Sequence, residues 1–336
     1  MKNNQFTKLH RVISGLLLTG IIPMTQAASL WNQPADVQAI TEIENVMAGA
    51  TDAQQLIQHF APNATVLDAF APGIHEGKDQ ILKALTQKLA SVKTIDHKIT
   101  EINIATDGKF ACSAAQIHYD YALKDGATHA AEFRQLDAFK KVDGKWQLIQ
   151  QQVSQPVDFK TTAVVMNGTT SSALPVRGAI KWIDTSFGDK AIAPAAAIDE
   201  IKDWTERALR VTGIGPAMHF YGPGDDVLLY GEFYPGNIRG LKGIENFYGP
   251  IMNSYSSIEV KNPVFAADSD GLLGAQIDTQ VLKLHMNDGS KRDIAIRQSD
   301  CLRRVNGQWH TFLEMVSFPI DRDTGKAVMT AAENAH

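Results

Sequence analysis

Cysteine is scarce in this chain, with only Cys112 and Cys301 in 336 residues. Two cysteines exclude a disulfide framework, although a single bond stays open. Both lie in strand-like runs, and unbonded cysteine is common in cores, so two separate core thiols are expected. Neither Cys nor His falls at metal-ligand spacing, so neither a metal nor a cofactor is expected. No excess of positive charge exists: the formal charge is −5, with pI near 6.1. Without a dense Lys/Arg stripe, nucleic acid is excluded as the main partner. Long apolar runs are lacking too, and none after the N-terminus could span a bilayer.

What is present begins at that N-terminus. Lys2, Lys8 and Arg11 flank a short apolar run, VISGLLLTGIIPM, which ends in TQA and then ASL. A basic start, an apolar middle and small residues at the cleavage point describe a secretory signal peptide over residues 1–27. The run is about half the length an anchor needs. Cleavage after Ala27 and a periplasmic or secreted mature protein are therefore expected, with no membrane span after cleavage.

The remainder is written twice. RQLDAFKKVDGKWQLIQQQVSQPVDFKTTAVVM, residues 134–166, aligns without a gap on RQSDCLRRVNGQWHTFLEMVSFPIDRDTGKAVM, residues 297–329, with 13 of 33 positions identical at an offset of 163. The match continues upstream, with HFAPNATVLDAFAPGIHEGKDQI resembling HFYGPGDDVLLYGEFYPGNIRGLKGI. Such a repeat predicts two copies of one domain, over 31–166 and 196–329. The Gly/Ser/Thr/Pro-rich segment 167–195 is the linker. Each copy opens with apolar residues at helical spacing, VQAITEIENVMAGATDAQQLIQHF and AIDEIKDWTERALRVTGIGPAMHF. A second helix follows, and then long strands broken at Asp125–Gly126, Asp143–Gly144, Asp288–Gly289 and Asn306–Gly307, where Asp, Asn and Gly tolerate positive φ. Trp146 and Trp309 are expected between helix and sheet. The class is α+β: two tandem domains, each with helices covering one face of a curved antiparallel sheet.

This order, ending in DGKWQLIQQQVSQP, resembles the SnoaL-like branch of the nuclear transport factor 2-like superfamily, which includes ketosteroid isomerase and kinase association domains. The resemblance implies two tandem cone-shaped domains, each a curved antiparallel sheet wrapped around helices with a pocket, which would take a small apolar or carbonyl-containing molecule, and packing of the two copies as an intrachain pseudo-dimer. FAPNATVLDAFAPGIHEGKDQI is similar to the isomerase segment carrying the general base, which falls on Asp68. QLDAFKKVDGK is similar to the strand carrying the isomerase's protonated acid, which falls on Asp137. Such a pair makes sense chemically, because a carboxylate can abstract a proton while a buried neutral carboxyl donates to the developing oxyanion. The isomerase's tyrosine would fall near Glu44, where none stands, and Tyr119 or Tyr121 could supply a hydroxyl. Many relatives place histidines in the last strand, where this chain has Gln150, Gln151 and Gln152. The second copy has Leu229 or Gly231 opposite Asp68, with Glu232 the nearest carboxylate, and it keeps Asp300.

Two functions remain open: a proton-transfer enzyme of isomerase or dehydratase type working through the first domain, or a non-catalytic binding or assembly module. Plainer roles compete for several residues. Asp68 could close an Asx turn. Asp137 and Asp300, mid-strand among apolar neighbours, need either a partner or a wet pocket. Arg134 and Arg297 point to the opposite sheet face and suit a structural ion pair. His118, which stands in the place of Asp278 of the other copy, suits a hydrogen-bonded position on its strand.

Overall fold

In the computed structural model, residues 31–71, 73–158, 160–165, 189–223, 226–234 and 236–330 are described. The expected leader and most of the linker lie outside them. The first copy folds as α1 (Pro34–Gly49), α2 (Ala53–Ile57), β1 (Phe60–Leu67), β2 (His75–Glu76), α3 (Gly77–Leu89), β3 (Val92–Thr106), β4 (Phe110–Leu123), β5 (Thr128–Val142) and β6 (Lys145–Ser154). The single opening helix expected from periodicity is two helices, because Asp52 caps α2 by accepting from the Gln54 N–H at 2.9 Å. The second copy folds as α4 (Pro194–Ala208), α5 (Ile214–Ala217), β7 (Leu228–Tyr230), β8 (Ile238–Arg239), α6 (Gly240–Met252), β9 (Tyr255–Ser269), β10 (Leu273–Met286), β11 (Lys291–Val305) and β12 (Gln308–Ser317).

The two sheets have equivalent strand orders, β2-β1-β6-β5-β4-β3 and β8-β7-β12-β11-β10-β9. Each is mixed, not wholly antiparallel: β1 runs parallel to β6, and β7 to β12. The cause is topological. Four strands joined by hairpins return β6 to the side of β1 in the direction β1 already has. Asp143–Gly144 and Asn306–Gly307 make the tight turns with both residues at positive φ. Trp146 and Trp309 tie the helices down as expected, Nε1 donating to Asp36 at 3.1 Å and to Glu200 at 2.9 Å.

Each sheet has helices on one face and the other domain on its opposite face. That explains why the ends of β3 and β4 are buried without alternation. Small residues at the start of β4 (Ala111, Cys112, Ala114) are fully buried. At the seam Cys112 and Cys301 form a disulfide, Cα–Cα 6.3 Å. The expectation of two separate thiols is thereby corrected: each does lie in a strand core, but on faces that meet. Arg134 and Arg297 are also corrected from ion pairs to main-chain clamps across the seam. Arg134 donates to the carbonyls of Gly231 and Tyr234 at 2.6 and 3.0 Å. Arg297 donates to the carbonyl of Asp68, to that of Ala71 at 2.9 Å, and to Phe318 O at 2.8 Å. Lys140 adds an ion pair to Asp268 at 2.9 Å.

Candidate functional site

A large cavity lies in the second domain, with Thr162 of the first copy at its rim. Its volume is about 950 Å³, bounded by α4, α6, the segment Met218–Tyr221, strands β9–β12 and residues 327–330 of the C-terminal tail. That is the upper part of the range for small-molecule sites. Leu282, Leu284, Ile294, Ile296 and Val316 supply an apolar wall from the strand faces that alternation turns toward the helices. Trp204 and Phe220 close one side, their rings edge-to-face with centroids 5.6 Å apart.

The polar end is built by register. Asp300 on β11 lies directly opposite Glu314 on β12. The Gln298 side chain bridges them, donating to Asp300 at 2.8 Å and to Glu314 at 3.2 Å. Asp300 also accepts from Gln276 at 2.6 Å and Thr311 at 3.0 Å. Tyr221 donates its hydroxyl proton to Glu314 at 2.6 Å. Burial pushes the Asp300 carboxyl up to about 6, against the pull of its three donors. Burial and then the neighbouring Asp300 charge push Glu314 well above the carboxylate range, although Tyr221 acts the other way. Glu232, also on the cavity wall, is raised by burial, with Arg134 among the offsetting groups.

The first domain holds a related carboxyl cluster. Glu44 on α1 and Asp137 on β5 are both fully buried. Ser113 donates to Glu44. Gln135 donates to both carboxyls at 2.7 Å, and Gln151 donates to Asp137 at 3.1 Å. Burial raises Glu44 to about 7, and burial with the Glu44 charge raises Asp137. Tyr119 lies in their field, and burial raises its hydroxyl above its ordinary range.

Asp68 is not part of that cluster. Its Oδ1 accepts from the N–H groups of Phe70 at 2.6 Å and Ala71 at 2.8 Å, and Oδ2 lies 3.4 Å from His75. Burial alone would raise its carboxyl, but His75, Lys88 and the two N–H groups outweigh it and hold it far below the usual range. A carboxylate so held makes a weak base, and the Asx turn is its structural place. Its second-copy counterpart is Gly231, since Arg297 meets Asp68 as Arg134 meets Gly231. A Cβ at Gly231 would come within 2.6 Å of the Phe247 ring.

The remaining sequence candidates separate. His118 lies on the other face of β4 and pairs with Glu132 at 2.5 Å. At a constant offset Asp278 corresponds to Ala115, each opposite a glutamine of the next strand, Gln298 and Gln135, which replaces the alignment with His118. Tyr121 stacks on His129 toward the outer end of the sheet, with centroids 5.2 Å apart. Gln152 faces the seam and donates to Ser317 at 2.9 Å. Asp300 and Glu232 both line the cavity of the second domain. Sequence reasoning missed Glu314, Tyr221 and Tyr248 there, and Glu44 as a buried acid. The legible signal was Glu314 itself, an acid inside the apolar run FLEMV in the place of Gln151.

Residues 38–158 match the family model of the SnoaL-like domain. No protein of curated function matches the chain. Among solved structures, an NTF2-like protein of unknown function from Pseudomonas putida is 15% identical over 40% of this chain and 96% of its own, TM-score 0.36. An NTF2-like superfamily protein from Salmonella enterica is 20% identical over 38% and 97%, TM-score 0.34. A ketosteroid isomerase-like protein from Erwinia carotovora is 17% identical over 37% and 96%, TM-score 0.32. The matched segment runs from within α1 to just past β6, so the first domain is similar to the SnoaL-like domain, and the second copy repeats its strand order.

Proposed function

We propose that the protein is exported and takes up a small, largely apolar molecule in the cavity of its second domain. The observation that carries this reading is the cavity of about 950 Å³, apolar along its walls and polar at one end where Asp300, Glu314 and Tyr221 converge. An assembly module has no need of such a space. Export is supported by the basic, apolar and TQA-ending N-terminus and by the Cys112–Cys301 bond, which suits an oxidising compartment. The test is to fill the cavity. Leu282→Trp should abolish retention of any copurifying molecule, and of the neutral dye Nile red, while the circular dichroism spectrum stays unchanged. Equal dye binding by the variant and wild type would count against the cavity.

One observation favours adding chemistry to binding. Asp300 and Glu314 share a bridging amide, and burial raises both carboxyls, so one can keep its proton beside the other's carboxylate. A base and an acid side by side are what proton transfer at a carbonyl-bearing ligand requires. In this second reading the isomerase- or dehydratase-type chemistry belongs to the second domain, with Asp300 as base and Glu314 as donor. The pair Asp68 and Asp137 draws on separate partners and does not form such a unit.

A further inference from the structure

The polar end of the second domain's cavity is lined mainly by acids, with buried Arg134 near enough to Glu232 to offset part of its burial. The charged side chains that line it at depth are carboxyls: Asp300 on β11, Glu314 on β12 and Glu232 after β7, with Asp278 buried on β10 beside them. The cation on the lining, Arg292, stands at the exposed start of β11 next to Asp293. Most donors at this end are already committed. Tyr221 gives its proton to Glu314, Thr311 and Gln276 give theirs to Asp300, and Gln298 divides its amide between the two.

The polar atoms left over are mostly acceptors. Glu232 Oε2 and both ends of the Gln280 amide are buried without a hydrogen-bond partner among the described residues. Both side chains are more than nine-tenths buried, at 8% and 3% exposure, and both line the cavity. Buried polar atoms left unpaired cost stability, so such a pair in a built cavity marks where a ligand's polar group belongs. At the constant offset of the repeat, Glu232, Gln280 and Glu314 replace Ala69, Ile117 and Gln151. The second domain has therefore acquired acids and an amide at this end of a shared scaffold. Around them stand aromatic rings, Tyr248, Phe233 and Phe318 among them, whose faces attract cations.

We propose that the cavity is built for an apolar molecule bearing a protonated amine, its ammonium group held between Glu232 and Glu314 and its hydrogens shared with Gln280. This rests on the cavity being a ligand site and goes further by naming the ligand's charge. A cation arriving among Asp300, Glu314, Glu232 and Asp278, with Tyr221 and Tyr248 facing them, draws off protons that burial and mutual repulsion keep in place. Binding near neutral pH is thus accompanied by proton release, and affinity rises with pH until the amine itself deprotonates.

The experiment is calorimetric titration of the oxidised mature protein with three molecules of one shape: 4-phenylbutylamine, 4-phenylbutanol and 4-phenylbutyrate. The amine should bind at least about tenfold tighter than the alcohol, and the carboxylate weakest. In two buffers of different ionisation heat the amine's enthalpy should differ, reporting released protons, while the alcohol's should not. Glu232→Gln combined with Glu314→Gln should shrink the amine-to-alcohol ratio at least about fivefold. Should that variant fail to fold, the wild-type series and its buffer dependence decide the matter. Alcohol binding as tightly as amine overturns the amine assignment and leaves a neutral-ligand pocket standing. Absence of binding by all three at millimolar concentration overturns both.

Discussion

Arg134 and Arg297 stand 163 residues apart and clasp the opposite domain in the same way, each through two carbonyls that are themselves 163 apart. Both side chains are 1% exposed, and burial pulls each guanidinium down to about 10. Their hydrogen bonds therefore hold the seam at its most desolvated points. Asp68 contributes by its charge as well as its carbonyl, offsetting the burial of Arg297.

Removing one clamp strands several acceptors. Arg297→Ala leaves the carbonyls of Asp68, Ala71 and Phe318 without their donor. A loss of about 2–4 kcal/mol is expected, read from the midpoint of urea unfolding. A change below about 0.5 kcal/mol would mean the seam does not depend on the clamp.

The disulfide is the covalent half of the same seam. A protease site placed in the linker, within residues 167–188, should yield a cut chain that migrates as one species without reductant and as two with it. Two species without reductant would show that Cys112 and Cys301 are not joined. The bond spans 189 residues, so reduction should also lower stability, by about 2–4 kcal/mol.

A carboxyl pair at positions again 163 apart gives the molecule a pH dependence. Burial, then the hydrogen bond and charge of Asp270, push the Asp107 carboxyl up to about 8 from its ordinary 3.8. The folded state thus binds a proton that the unfolded chain has released. That stability is complete below about pH 4 and is lost as pH climbs through about 8. Asp107→Asn keeps an acceptor for the Lys109 and Phe110 N–H groups, at 2.8 and 2.9 Å in the wild type. The variant should exceed wild type at pH 9 by at least about 1 kcal/mol and show no advantage at pH 4. Parallel pH profiles for the two proteins would refute the shared proton.

Asp68 and Asp300 should separate structural from chemical roles. Asp68→Ala removes a turn cap and is expected to cost about 1–2 kcal/mol while ligand binding per folded molecule is retained. Asp300→Asn should lower any turnover by at least about a hundredfold with binding of a neutral ligand retained. Turnover lost in Asp68→Ala and kept in Asp300→Asn would return the chemistry to the first domain.

Local features were legible before folding. The Asp-Gly and Asn-Gly turns follow from the φ that those residues tolerate, and the helices from three- and four-residue spacing. Asp137 and Asp300 were visible as carboxyls that a buried strand must accommodate. The parallel β1–β6 closure was not, because strand direction beside a non-sequential neighbour depends on how the hairpins return. Asp68 misled, since a carboxylate before a turn reads alike as cap and as base until its donors are known.

The amino-acid sequence alone determined that this protein has two copies of one α+β scaffold, with small residues where two sheets can approach and acids inside apolar strands. Only the tertiary structure decided what lines the cavity of the second copy and what meets at the seam. Cys112 reaches Cys301, and Tyr221 reaches Glu314, from positions 189 and 93 residues apart. Periodicity along a chain records which face a side chain takes, whereas the space left between faces is set by every side chain that packs there at once.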